Sequence, residues 1–166
     1  GKIYLYLGGN TLGHLGDPAF TGNPHHTFTS PTGVITDPLS GFSLAGGYDL
    51  NRDGIQDLAV GAPNFDRVYI LFGSTTLPAN LFLSTTLSSV GDQAGKALAM
   101  GDLDNNSYGD LAVGAPLGDP SSRTDAGRLF ILFDRDGTNP ANWPSDIPLS
   151  SLPQILGAVA GDRVGS

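Results

Sequence analysis

Two loops of the sequence carry oxygen-bearing side chains at matching, alternating positions. In both loops these side chains occupy positions 1, 3, 5 and 9, counted from the first Asp. Such spacing suits Ca²⁺, which takes about six to eight oxygen ligands in a flexible cage. Position 7 would contribute its backbone carbonyl, so its side chain can vary. The candidate metal ligands are Asp49, Asn51, Asp53, Ile55 and Asp57 in loop one (49–57), and Asp102, Asp104, Asn106, Tyr108 and Asp110 in loop two (102–110).

The spacing is close to that of an EF-hand, but two features separate these loops from one. An EF-hand requires a bidentate Glu at its twelfth position and a helix on each side. Here that position is Val60 in loop one and Val113 in loop two, and the flanking segments have the composition of strands. The sequence therefore predicts a nine-position calcium loop that joins two β-strands.

The alternative interpretation of these loops is a pair of Asx-rich β-turns that bind nothing. Each loop, however, gathers three carboxylates within one short turn, and like charges this close destabilise one another unless a cation lies between them. The same spacing also occurs twice, at a constant offset of 53 residues. We therefore predict two Ca²⁺ ions, one in each loop.

The two loops belong to an internal repeat that continues on both sides of them. Residues 57–63 and 110–116 are identical in sequence. Further along the chain, the apolar run 67–72 matches 128–133, and the segment 2–7 resembles both. Repeats of this length are typical of solenoids and propellers, so the repeat decides the fold prediction.

Each repeat unit is predicted to form four short strands separated by turn signals. The predicted strands are 42–46, 58–61, 67–72 and 81–85 in the first unit, and 96–100, 111–114, 128–133 and 147–151 in the second. Four short strands in a unit of this size are typical of a propeller blade. We therefore predict an all-β fold of β-propeller blades, each made of four antiparallel strands.

The composition supports short strands and disfavours helices. All 16 acidic residues are Asp, and Lys occurs only twice. The chain thus has no Glu and almost no Lys, two good helix formers, while 24 Gly and 12 Pro supply turn residues. A helical bundle and an alternating α/β protein are both disfavoured.

The charge pattern restricts the function classes open to this chain. The net charge is −8 and the eight basic residues are scattered, so nucleic acid is not expected as a partner. The longest apolar runs have the length of strands, so we expect no membrane insertion. The absence of Cys excludes a disulfide framework and Cys-based zinc sites. The sequence contains no recognisable acid–base pair or nucleophile set, and we expect no enzymatic activity.

The repeat units resemble FG-GAP repeats, the blades of the integrin α-subunit propeller and of similar bacterial extracellular proteins. Both Gly-Ala-Pro motifs are intact, at 61–63 and 114–116, and each follows a loop with the family's calcium pattern. The Phe that the family places before Gly is replaced by Ser40, Ala94 and Val164. The resemblance nevertheless covers nearly the whole chain.

The resemblance implies a seven-bladed propeller with structural Ca²⁺ loops on one face and partner-binding loops on the opposite face. Its longest partner-facing loop would be 117–127, with Asp119, Arg123 and Asp125 as candidate residues for binding a protein ligand. An unselected surface insertion is the alternative interpretation of this loop. The implied function is a calcium-binding scaffold for extracellular recognition or cell adhesion, in a secreted or cell-surface protein.

The repeat boundaries divide the chain into four segments. These are the outer half of a preceding blade (1–36), a complete blade (37–90), a complete blade with longer loops (91–160) and the start of a further blade (161–166). Because open blade edges expose backbone groups to pairing, we expect either the remaining blades of a longer propeller or other copies of the chain as partners. Two alternatives stay open: a non-catalytic propeller segment of a larger secreted, phospholipase-like hydrolase, and a structural protein that self-assembles through its edges.

Overall fold

The structure of the protein is a computed structural model. This structure describes residues 4–5, 26–29, 42–74, 80–82, 85–137 and 142–166. No helix within these ranges is long and apolar enough to cross a membrane. The strands in chain order are β1 (Tyr4–Leu5), β2 (His26–Thr29), β3 (Ser43–Tyr48), β4 (Asp57–Ala62), β5 (Arg67–Leu71), β6 (Asn80–Phe82), β7 (Thr85–Ser88), β8 (Leu98–Gly101), β9 (Asp110–Ala115), β10 (Arg128–Leu132), β11 (Asp146–Pro148) and β12 (Gln154–Leu156).

In the described part of the chain, two of the three sheets contain a four-stranded antiparallel meander. The first meander runs β3-β4-β5-β7, and the second runs β8-β9-β10-β12. The identical sequences of β4 and β9 occupy the second position in each meander, and the first strands β3 and β8 lie side by side. The all-β fold of antiparallel propeller blades that the repeat predicts is therefore confirmed.

The two blades share one apolar core. Side chains alternate between the two faces of a strand, so alternate apolar residues of β5, β9 and β10 point to the same side and are buried. Leu50, at the start of loop one, and Trp143, after the second blade's third strand, belong to the same cluster. The strand members of this core are Ala59, Val68, Ile70, Leu87, Leu111, Val113, Ala115, Phe130, Leu132 and Ile147.

The first three strands of each blade lie within two residues of their predicted bounds, but the prediction of the fourth strand is wrong in both units. The fourth strand of the first blade is β7, which begins where the predicted strand 81–85 ends. In the second blade it is β12, which begins after the predicted strand 147–151 has ended.

The segments predicted as fourth strands instead pair with the neighbouring sheet. β6 lies parallel to β2, with Leu81 opposite Phe28, and β11 lies parallel to β7, with Ile147 opposite Leu87. Because these two segments match in the repeat, the same arrangement occurs twice. Each unit therefore supplies four strands to its own blade and a short fifth strand to the outer edge of the preceding sheet.

Both Gly-Ala-Pro motifs contact a glycine near the start of the following unit. A Cβ atom on Gly61 would lie 2.2 Å from the carbonyl oxygen of Gly95, and a Cβ on Gly114 would lie 2.1 Å from that of Gly165. Gly95 and Gly165 themselves have positive φ angles of 86° and 87°. The absence of side chains at these positions lets neighbouring units approach backbone to backbone.

Ser43 adds a hydrogen bond to the first of these contacts, because its Oγ donates to the carbonyl oxygen of Gly95 at 2.7 Å. Ala97 occupies the matching position of the second unit and has no hydroxyl. We expect Ser43→Ala to lower the free energy of unfolding by about 1 kcal/mol, since a partly buried carbonyl loses its donor. Urea unfolding beside the wild type measures this loss, and coincident curves would contradict it.

Candidate metal centre

The two candidate loops occupy the same place in their blades, between the first and second strands. Loop one connects β3 to β4, and loop two connects β8 to β9. In each case the position 9 carboxylate, Asp57 or Asp110, is the first residue of the second strand, so the sheet ladder holds its backbone. These two side chains are buried, whereas Asp53 and Asp104 are exposed. In each loop, therefore, the position 9 carboxylate is buried against the sheet and another candidate ligand is exposed to solvent.

Asp57 anchors loop one to the sheet. Its Oδ2 accepts the N–H of Leu50 at 2.7 Å, and its Oδ1 accepts the N–H of Gly73 at 2.8 Å. Burial raises the pKa of Asp57 to about 6, because the two N–H bonds only partly offset desolvation, and the carboxylates of Asp53 and Asp49 raise it further. A cation placed among these three carboxylates would favour the ionised form.

Asp110 anchors loop two in the same way. Its Oδ2 accepts the N–H of Leu103 at 2.7 Å, and its Oδ1 accepts the N–H of Asp134 at 3.0 Å. One oxygen each from Asp102, Asp104 and Asp110 lies within 4.8 Å of the others, the only such set of three acidic groups in the described part of the chain. Oxygens bound to one Ca²⁺ at ~2.3–2.6 Å lie at most ~5 Å apart, so this separation fits a shared ion.

The two loops distribute their charges differently but reach the same balance. Loop one has Asn51 at position 3 and Asp53 at position 5, whereas loop two has Asp104 and then Asn106. In both loops the amide Nδ2 donates to the carboxylate Oδ2 at 3.0 Å. Each loop thus keeps three carboxylates and one amide, and the amide–carboxylate pair avoids a further pair of like charges.

Position 6 adopts the same backbone conformation in both loops although the residue differs. The φ angle is +86° at Gly54 and +76° at Ser107. In each loop the N–H of this residue donates to the position 1 carboxylate, from Gly54 to Asp49 at 2.7 Å and from Ser107 to Asp102 at 2.8 Å. The exchange of glycine for serine therefore leaves this turn unchanged, with the positive φ supported by a hydrogen bond.

Position 7 is held by the side chain at position 5. The N–H of Ile55 donates to Asp53, and the N–H of Tyr108 donates to Asn106, each at 2.8 Å. The side chains differ while the backbone bond is the same. The part of the two carbonyls as metal ligands stays a prediction.

Asp134 connects the two loops, and sequence reasoning missed it. Its side chain is buried, and it accepts hydrogen bonds from Arg52 Nε of loop one and from Asn106 Nδ2 of loop two, the latter at 2.7 Å. The matching residue of the first unit is Gly73, so a comparison of the two units carried no signal. Only the fold places the end of β10 beside both loops.

Two further contacts join loop one to loop two. The N–H of Gly109 donates to the carbonyl oxygen of Asp49 at 2.9 Å. The guanidinium of Arg52 lies over the ring of Tyr108, 4.8 Å from its centroid, which is a favourable cation–π distance. The two candidate sites are therefore neighbours in one continuous network.

The predicted partner-binding residues lie in the connection from β9 to β10, at the opposite end of β9 from loop two. The structure brings two of them together, because Asp119 accepts the N–H of Asp125 at 2.8 Å, whereas Arg123 Nε donates to the carbonyl oxygen of Gly157 at 3.0 Å. The carbonyl oxygen of Asp125 also accepts the N–H of Arg163 at 3.2 Å. Their part in binding a partner stays a prediction.

A comparison with models of protein families finds one match in each of the two blades. Residues 40–75 and 94–132 match the family model described as the FG-GAP repeat. These two segments are FG-GAP repeats. The first contains β3, β4 and β5 with loop one, and the second contains β8, β9 and β10 with loop two. Each FG-GAP repeat thus coincides with the first three strands of one blade.

The FG-GAP repeats are similar to parts of several curated proteins. The chain is 38% identical to integrin alpha-7 of Rattus norvegicus in an alignment over 124 residues that covers 69% of this chain and 10% of that protein. It is 40% identical to integrin alpha-IIb of Homo sapiens over 121 residues (63% and 11%). It is 31% identical to phosphatidylinositol-glycan-specific phospholipase D of Rattus norvegicus over 140 residues (69% and 16%). The chain therefore spans only 10% to 16% of the length of these relatives.

Proposed function

We propose that this chain is a calcium-binding β-propeller scaffold for protein recognition or cell adhesion outside the cell or at its surface. The observation that carries the proposal is the pair of matching loops, each built around a buried position 9 carboxylate with the same hydrogen bonds. Similarity to integrin α subunits supports the extracellular role. In this proposal the loops at the other end of the strands bind a protein ligand.

Ca²⁺ fits the donor set of each loop. Both loops offer hard carboxylate and amide oxygens, the ligands that Ca²⁺ prefers, and a bound ion would neutralise carboxylates that otherwise repel one another. Two ions would change the formal net charge from −8 to −4. The chain's own part is to hold the first and second strands of a blade at the distance that the loop oxygens require. The ligands in this proposal are the ten residues named from the sequence.

Calcium should raise the thermal stability of the chain. We expect an excess of Ca²⁺ over chelator to raise the melting temperature, because each occupied site adds about 3 kcal/mol to the free energy of unfolding when free Ca²⁺ is a hundredfold above its dissociation constant. Differential scanning calorimetry in Ca²⁺ and in EGTA measures this shift. The double variant Asp57→Ala plus Asp110→Ala should lose it, because both buried carboxylates are gone.

Asp119→Asn is the matched control for this experiment. Asp119 is an exposed carboxylate that accepts one backbone N–H, as the loop residues do, but it lies outside both loops. The control should keep the calcium shift of the wild type. Identical melting of the wild type in Ca²⁺ and in EGTA would contradict the proposal.

A second candidate function is a non-catalytic propeller segment of a larger secreted hydrolase. It is supported by the 31% identity to phosphatidylinositol-glycan-specific phospholipase D. In this alternative the blades keep the same calcium-stabilised role. A catalytic domain in the same reading frame would favour the hydrolase, and a ring of integrin-like blades would favour adhesion. Self-assembly through blade edges is a third candidate, which mass measurement in solution would detect.

A further inference from the structure

The outer edge of β12 has the features of a strand acceptor. We propose that this edge binds one short parallel strand supplied by a further FG-GAP repeat unit. The other two outer edges of the same kind are already occupied in this way, since β2 carries β6 and β7 carries β11. In both cases the added strand precedes the fourth strand of the next unit in the chain.

The pairing register identifies which residues of β12 would receive the strand. Leu87 of β7 lies opposite Val68 of β5, and Ile155 of β12 lies opposite Leu129 of β10. Because β5 and β10 are matching strands of the repeat, Ile155 is the counterpart of Leu87. Leu87 is also the residue that faces Ile147 of the added strand, so we expect an aliphatic residue opposite Ile155.

The backbone of β12 presents hydrogen-bonding groups to this edge. Pro153 accepts from Ile131 at 2.9 Å, and Gly157 donates to Gly127 at 3.0 Å, so these residues face β10. In an antiparallel ladder the direction of the backbone groups alternates along the strand, and the groups of Gln154 and Leu156 therefore point outward. Within the described ranges no backbone partner meets them.

The side chains of the two edges differ in exposure. Leu87 is 0% exposed and the facing Ile147 is 3% exposed. On β12 the counterpart Ile155 is 56% exposed, and its neighbours Leu156 and Val159 are 41% and 61% exposed. The side chains of Ile155 and Leu156 point to opposite faces of β12, so neither face of this strand is covered. In the first blade, the element that lies beside the matching Leu87 is the parallel strand β11.

The occupant is a strand of a further repeat unit rather than a second copy of this chain. In one copy the only two segments of this type in the described ranges, β6 and β11, are already paired with β2 and β7. A second copy would have to open one of its own sheets to supply a strand. A further unit would supply it without breaking any existing pair, and its strand would carry an aliphatic residue where Leu81 and Ile147 stand.

Hydrogen exchange tests this proposal on the full chain. A copy of residues 144–151 is appended after Ser166 through a flexible Gly/Ser linker, which supplies the strand at about millimolar effective concentration. We expect the amides of Gln154 and Leu156 to exchange about tenfold more slowly in the fusion than in the parent chain. The amide of Ile155, which faces β10, should exchange at the same rate in both.

Two controls keep this test specific. Ile147→Asp within the appended copy alone should abolish the slowing, because the residue facing Ile155 is no longer apolar. Leu156→Pro in the chain removes one outward N–H without touching the ladder to β10, and it should also abolish the slowing at Gln154. Unfolding curves of both variants verify that the chain stays folded.

Three results would overturn the proposal. The first is unchanged exchange of Gln154 and Leu156 in the fusion. The second is equal slowing at Ile155, which indicates non-specific collapse onto the surface. The third is protection in the parent chain that rises with protein concentration, which makes a second copy the occupant. The experiment is carried out in EGTA and needs no Ca²⁺, so a failure of the calcium proposal would leave it standing.

Discussion

Asp110→Ala should lower the free energy of unfolding by about 4 kcal/mol in the absence of Ca²⁺, and it should also remove the calcium response of loop two. The carboxylate is 0% exposed and accepts the N–H groups of Leu103 and Asp134. Truncation leaves both donors without this acceptor, at a cost of about 1–3 kcal/mol each, and it also leaves a small cavity.

The variant Asp104→Asn separates the two effects expected of Asp110→Ala, the loss of stability and the loss of calcium binding. Asp104 is an exposed residue of the same loop, so its replacement should change the stability measured in EGTA by no more than about 0.5 kcal/mol. It should still weaken Ca²⁺ binding, because one of the three close carboxylates loses its charge. Urea unfolding in EGTA and calorimetric Ca²⁺ titration measure the two quantities. If Asp110→Ala unfolds at the wild-type urea midpoint in EGTA, the anchoring role is wrong.

Gly114→Ala should lower the free energy of unfolding by about 3 kcal/mol, in the range of severe overpacking. The added Cβ would lie 2.1 Å from the carbonyl oxygen of Gly165 and 2.8 Å from its Cα. Both atoms belong to backbone, which cannot rotate away as a long side chain can. The neighbouring unit therefore has to shift, and the contact between repeat units opens.

Gly101→Ala is the matched control for this prediction. Gly101 ends β8, and a Cβ built on it has no neighbour within 4 Å. We expect this variant to differ from the wild type by no more than about 0.5 kcal/mol. Chemical unfolding of the two variants side by side gives the comparison. Equal losses for Gly101→Ala and Gly114→Ala would show that strand propensity, not the contact between units, decides the effect.

The two candidate metal loops were the part of the molecule most accessible from sequence. The candidate ligands of each loop lie within nine consecutive residues, and the hydrogen bonds that shape each turn join residues two to five apart. Geometry of this kind depends on local chain conformation, which Asx side chains and positive φ angles control. Both loops were therefore predicted as turns at their observed positions.

Asp134 and the Gly114–Gly165 contact could not be predicted, because each depends on residues far apart in the chain. Asp134 reaches Arg52 across 82 residues, and nothing in its local sequence distinguishes it from other Asp residues in turns. The need for glycine at 114 arises only when the next unit lies against it. Repetition of the Gly-Ala-Pro motif indicated a constraint without indicating its cause.

The fifth strand of each unit shows most clearly what the sequence could not predict, which is the sheet with which a strand pairs. The sequence by itself determined that 81–85 and 147–151 contain strand-forming residues, since apolar alternation and turn signals are local properties. It also determined the all-β blades, the two loops and their repeat. Only the tertiary structure decided that these strands pair parallel with the preceding sheet rather than with their own blade. The physical reason is that backbone hydrogen bonds are the same for any partner strand, so the choice depends on which sheet edge is within reach.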